Sequence, residues 1–245
     1  MTTFAELPVA EGLSLTQDGD VLTALIDAPD GNLITMDMCD ALAAVLRKPP
    51  AGAHILVLTA AGNHFCLGRE RTAATPDDLP LEVARLMAVN EALAETTLVT
   101  VARVHGDAGG FGVGLAALCD VAVATRAARL YFPEVRIDLA PALVLAWLPA
   151  MIGRREAFWL TATGEAVSGE NAVRIGLLNE VVDDVDLLDQ AVSQRVESLR
   201  RAAPRVHTDI RRMLRSVESL TPTQAYELAS DRLVLGSLRR SHRRT

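Results

Sequence analysis

The chain has 245 residues, half of them hydrophobic, and a formal net charge of −7, which suits one generous domain or a domain with a small appendage around a large core. The negative balance excludes a general polyphosphate-binding surface, since that needs clustered cations. The irregularly spaced Cys39, Cys66 and Cys119 form neither a disulfide framework nor a metal cage, the opening MTTFAELPVAEGLSL has no basic start before an apolar stretch, and no run reaches about 18 apolar residues.

A cytoplasmic protein in a reducing compartment, with no metal and no membrane span, is therefore expected. One run goes against the overall charge: Arg239, Arg240, His242, Arg243 and Arg244 close the chain. It reads as a solvated terminus, and nucleic acid is not expected as a partner.

In chain order, Gly12–Gln17 and Val21–Ile26 read as two strands joined at Asp18-Gly19-Asp20, a hairpin turn cluster. Met38, Leu42, Val45 and Leu46 recur at helical spacing until Pro49-Pro50 stops the helix. His54–Thr59 is a continuous apolar run, as a strand buried on both faces requires. A polar loop follows, RERTAATPDDLP, and then a helix with Leu86, Val89 and Leu93 on one face. Leu98–Val104 reads as a strand, Gly106–Gly114 as a glycine-rich turn, Leu115–Leu118 as a helical segment and Val121–Ala124 as another strand.

This alternation predicts a largely parallel α/β core. Beyond about Ala140 the pattern turns helical, with segments at Leu143–Met151, Arg155–Thr161, Gly169–Ile175, Leu187–Arg201, Thr208–Ser216 and Thr223–Leu235, and little strand signal.

Three motifs carry chemistry. HGDAGGFGVGLAALCD, at 105–120, sets glycines between a strand and a helix. There, backbone can approach a ligand or a neighbouring chain closely, and free N–H groups at a helix start stabilise negative charge. Tight packing alone also suits such glycines, and neither G-x-x-x-x-G-K-[ST] nor G-x-G-x-x-G is present.

The second motif, NHFCLGRE at 63–70, follows the buried strand, and Gly68 sets the Arg69 amide at an unusual angle. Cys66 has the residue type of a nucleophile, but its apolar FCL context suits a buried, inert thiol. In the third motif, YFPEVRIDLAP at 131–141, Glu134 follows Pro133. It acts as a general base if apolar walls raise its pKa, and is otherwise a solvated turn residue.

These motifs in this order, followed by GRREAFWLTATGEAVSGENAVRIGLLNEVV, resemble the crotonase (enoyl-CoA hydratase/isomerase) family from about Leu13 to Val182. The resemblance implies an α/β fold with a ββα spiral core over 1–185 and a C-terminal helical trimerisation region over 186–245. It implies homotrimers or hexamers and a coenzyme A thioester as substrate, with no separate cofactor. The thioester oxygen would be held by the backbone amides of Arg69 and Phe111, with Gly68, Gly110, Gly112 and Gly114 forming the surrounding substrate site. Glu134 would be the acid/base, and the loop Arg71–Leu81 with the C-terminal helices would wall the acyl group.

The chain departs from the family at two places. Family hydratases carry a first glutamate in the helix after the glycine turn, and Gly114 stands there instead. Leu139-Ala140-Pro141-Ala142-Leu143 replaces a glycine-rich segment.

One carboxylate suits proton transfer between two carbons, as in the family's enoyl-CoA isomerases. Asp138 is a further acid that could assist catalysis or simply cap a helix. Three readings follow: an isomerase using Glu134, a hydratase of an unusual acyl-CoA recruiting Asp138, and a non-catalytic acyl-CoA-binding relative.

Overall fold

The computed structural model describes residues 7–73 and 75–241, with the side chains of 240 and 241 left out. The readings made on the first six residues and on His242, Arg243 and Arg244 lie outside the described residues. Two compact units result, Met1–Leu199 and Arg200–Thr245.

The first unit opens with the expected hairpin, β1 (Leu13–Asp18) antiparallel to β2 (Val21–Ile26). A short irregular turn α1 (Pro29–Asn32) and helix α2 (Met36–Arg47) follow, the latter N-capped by Thr35, whose hydroxyl accepts from the Met38 amide. Next come β3 (Ile55–Ala60), β4 (His64–Cys66), α3 (Leu79–Glu95), β5 (Val99–Val104), β6 (Asp107–Gly109), α4 (Phe111–Ala117), β7 (Val121–Thr125) and β8 (Arg129–Tyr131). A 3-10 turn, Pro133–Ile137, leads into α5 (Ala142–Leu145), α6 (Leu148–Ile152), α7 (Arg154–Thr163), β9 (Val167–Ser168), α8 (Gly169–Arg174), β10 (Glu180–Val182) and α9 (Val185–Arg200).

The strands sort into two sheets: a six-stranded one in the order β1-β2-β3-β5-β7-β10 and a four-stranded one in the order β4-β6-β8-β9. In each of three successive turns, β3 and β4, β5 and β6, then β7 and β8, the chain gives one strand to the large sheet and the next to the small one. This is the expected ββα spiral. The large sheet is parallel beyond its hairpin, and β3 and β5 are buried almost throughout, as parallel strands covered on both faces must be.

Leu22, Ile26, Leu56, Leu58 and Phe65 belong to the main core. A second, smaller core lies on the other face, where Leu188, Ala191, Val192 and Val196 of α9 pack against Ile55, Val57, Val101 and Val123. The helical region expected from 186 onward is thereby divided. α9 belongs to the first unit because its apolar face covers the sheet, and the second unit holds α10 (Pro204–Val217) and α11 (Pro222–Ser241).

Other expectations need correction. Gly106–Gly114 is not one turn: it contains β6, and α4 begins at Phe111 rather than Leu115. The single helix expected over Leu143–Met151 is two, α5 and α6, because Pro149 in the first turn of α6 has no N–H to continue the preceding turn. Two strands, β9 and β10, lie beyond Ala140, where little strand was expected.

Candidate active site

The site is assembled by three neighbouring parallel strands of the small sheet. β4 pairs with β6 (His64↔Asp107, Cys66↔Ala108), and β6 pairs with β8 (Ala108↔Leu130, Gly109↔Tyr131). Because the three run the same way, the segments leaving their C-terminal ends emerge side by side. Those segments carry Gly68-Arg69, Gly110-Phe111 and Pro133-Glu134 respectively. Ligands of open α/β sheets commonly bind at such ends, and here the three segments line one cavity of about 290 Å³.

Glycine permits the close approach that this requires. A Cβ on Gly112 would run into the Cys66 carbonyl of β4, so only a glycine lets the first turn of α4 lie on that strand. Gly110 has φ 48, and a Cβ there would stand 2.7 Å from Oε1 of Glu134. The carboxylate thus lies directly over the backbone that starts α4. The Gly110 amide donates to the Tyr131 carbonyl at 2.9 Å, tying the β6 exit to β8.

Two residues that line the cavity, Arg69 and Phe111, have amides outside the regular backbone pairing around it. Ile34 donates to the Gly68 carbonyl (3.0 Å) and accepts from the Glu70 amide (2.9 Å), the pattern of a parallel bridge centred on Arg69. In that pattern the Arg69 N–H turns away from Ile34, toward the cavity side. Gly68, with φ 136, supplies the backbone bend just before it. Phe111 is the first residue of α4, so its N–H has no acceptor within the helix. Two amides flanking one cavity, one of them at a helix start, are an arrangement that can meet developing negative charge.

Glu134 sits in the 3-10 turn after β8, half-buried, with Oε2 buried and without a hydrogen-bond partner. Burial pushes its carboxyl above the usual glutamate range, while the nearby Arg71 and Arg69 guanidinium groups pull the other way. Among the described residues it is the one acidic side chain lining the cavity; Leu67, Val83, Leu86, Leu139, Leu143 and Val144 are among its apolar walls. A carboxylate with a free oxygen and a raised pKa can take up and return a proton.

The remaining sequence candidates lie elsewhere. Asp138 ends the 3-10 turn with φ 57 and lines an adjoining cavity, separated from Glu134 by the shared Leu139-Ala140-Pro141 wall. Gly112 acts through packing on β4 rather than by lining the cavity. Gly114 faces Trp147: a Cβ there would lie 3.6 Å from Cζ2 of the indole. Cys66 is fully buried, its Sγ donates to the Gly68 carbonyl at 3.1 Å, and burial pushes its thiol up to about 11, so it is no nucleophile.

Trp147 and the buried Glu82 of α3 had no sequence signal pointing to the site. Arg71 is expected from the sequence as the start of the loop that walls the acyl group, not as a cation acting on Glu134. Spacing cannot show that a distant helix or a loop cation reaches a given pocket.

The spiral of two sheets sets two backbone amides and one half-buried carboxylate at the ends of three parallel strands, the architecture of an α/β enzyme. The chain belongs to the enoyl-CoA hydratase/isomerase family, whose profile matches residues 18–242, and it is an enzyme of the hydratase/isomerase type. It is 32% identical over 183 residues to a probable enoyl-CoA hydratase of Rhodobacter capsulatus, covering 73% of this chain and 68% of that one. It is 31% identical over 182 residues to the 1,2-epoxyphenylacetyl-CoA isomerase of Escherichia coli, covering 70% of each. Among solved structures, an enoyl-CoA hydratase of Mycobacterium smegmatis superposes with a TM-score of 0.87 at 26% identity, covering 93% of this chain and 91% of that one.

Proposed function

We propose that the protein is an enoyl-CoA isomerase in which Glu134 alone moves a proton between two carbons of an acyl-CoA. The observation that carries this reading is the composition of the cavity: one carboxylate stands beside the two amides, and the Trp147 indole lies against Gly114, where family hydratases carry their other glutamate. A CoA thioester is the substrate that the family membership supports. A hydratase-like protein of Thermobifida fusca, with a TM-score of 0.86 at 25% identity over 97% of this chain and 99% of that one, was solved in complex with CoA.

In the proposed reaction Glu134 removes a proton from C2 of a 3-enoyl thioester. The C–H electrons move into the C1–C2 bond and the carbonyl electrons onto the thioester oxygen. The Arg69 and Phe111 N–H groups meet that charge, and a preorganised donor of this kind lowers such a barrier by roughly 2.7–4 kcal/mol. The protonated Glu134 then delivers the same proton to C4, and the carbonyl reforms with the double bond now between C2 and C3. No water is consumed. Apolar walls around the carboxyl keep solvent from competing for the proton.

The expected assembly is proposed on the second unit, where Val206, Ile210 and Leu214 form an exposed apolar stripe at four-residue spacing along α10. Such a stripe suits burial between copies of the chain.

The test is to supply a 3-enoyl-CoA in water enriched in oxygen-18. Appearance of the conjugated 2-enoyl thioester without the heavy isotope is expected. A 3-hydroxyacyl-CoA carrying oxygen-18 as the main product would replace the isomerase reading with the hydratase one.

A further inference from the structure

Glu82 is the one charged side chain of the described core that is almost fully buried, at 5% exposure. It lies in the first turn of α3, on the helix that also gives Val83 and Leu86 to the cavity wall. Its carboxylate reaches across to the segment after β4, forming an ion pair with the Arg69 guanidinium and accepting the Ala73 amide at 2.9 Å. A buried carboxylate is costly to desolvate unless paired, so this position holds a charge for a reason that packing alone does not supply.

Both partners belong to the segment that presents the Arg69 N–H. Arg69 is also a cation beside the cavity, near enough to Glu134 for each to influence the other's ionisation. We infer that Glu82 is a positioning residue with two linked tasks: it clamps the Gly68–Ala73 segment so that the Arg69 amide faces the cavity, and it holds the Arg69 guanidinium away from Glu134. Released from Glu82, that guanidinium would be left with Glu134, a carboxylate that already acts on it and has an unsatisfied oxygen. The base would then be quenched by an ion pair.

The charged and titratable groups around this pair are few. Glu134 faces Arg69 and Arg71 from the same segment. Arg69 faces Glu82 from α3, Arg71, Glu134, and Cys39 from α2, a buried thiol pushed up to about 12 and hence neutral. A shift in the ionisation of Glu134 after a change at Glu82 therefore has one source, the freed Arg69.

The inference rests on Glu134 being the acid/base, and the test separates the two claims. In Glu82→Gln the fold is retained by circular dichroism, and kcat falls by about tenfold or more while KM moves far less, since misplacement of an oxyanion donor by about 1 Å costs up to ~10²-fold. The rising limb of kcat/KM against pH moves to lower pH, because a closer cation favours the ionised carboxyl. In Arg69→Met the limb moves to higher pH, and adding Glu82→Gln to that variant shifts it no further. The double variant also removes both members of the ion pair together, which keeps the comparison available if the single glutamine variant fails to fold.

An unchanged kcat and limb in Glu82→Gln, a loss of kcat with the limb unmoved, or a further downward shift in the double variant overturns the inference. Full turnover by Glu134→Gln overturns instead the reading on which it rests.

Discussion

The two sheets divide the molecule's work unequally. The six-stranded sheet has strands of five or six residues apart from the short β10, carries both cores on its faces and contributes no residue to the cavity. The four-stranded sheet has strands of two or three residues, too short to stand alone, yet three of its C-terminal ends present both amides and the carboxylate. Stability resides where apolar area is largest. Chemistry resides where backbone direction is most tightly imposed from outside, by neighbouring strands and by glycines that let backbone touch backbone.

Substitutions in the two sheets should therefore have separable consequences. The largest effect on activity is expected from Glu134→Gln, with kcat down by about 10²–10⁴ and acyl-CoA binding retained, measured by steady-state kinetics and titration calorimetry. Its melting temperature at pH 7 should not fall. Burial raises the Glu134 pKa in the fold, so ionising it opposes folding; that cost is absent at low pH and grows as pH rises through the folded pKa. A variant that loses activity and melts much earlier would tie the carboxylate to the scaffold instead.

Next comes Gly112→Ala, whose Cβ would meet the Cys66 carbonyl. Displacing the start of α4 should cost about 1–3 kcal/mol of stability and up to ~10²–10³ in kcat through the Phe111 amide. Leu58→Ala, in the large sheet at 1% exposure, should remove about 2–5 kcal/mol while the fraction that stays folded turns over at the wild-type rate. Loss of specific activity in that variant would break the division between the sheets. The smallest change is expected for Arg71→Ala: because Arg71 lowers the Glu134 pKa, its removal should move the rising limb of kcat/KM to higher pH, with little change in the plateau.

The same division explains what the sequence made legible. Apolar runs such as His54–Thr59 and Val21–Ile26 announce the large sheet because each strand is long enough to stand out between its turns. β4, β6, β8 and β9 are too short to show one, and β6 hides within glycines that resemble a turn. The segments that carry Arg69, Phe111 and Glu134 could still be singled out, because their motifs are local and resemble those of a known family, and the structure brings them to one cavity.

Asp138 was drawn toward the site by sequence proximity, but the left-handed turn that it occupies directs the chain into the neighbouring cavity. Trp147 beside Gly114 and Glu82 beside Arg69 are contacts across 33 and 13 residues of sequence, set by packing rather than by any local pattern.

The central claim is that Glu134 removes the proton next to a thioester carbonyl held by the two amides. Its most direct test is exchange of the C2 hydrogens of a saturated acyl-CoA in deuterium oxide, followed by NMR for the wild type and Glu134→Gln. The account predicts deuterium at C2 with the wild type and only the background rate with the variant. Exchange by Glu134→Gln as fast as the wild type would contradict it.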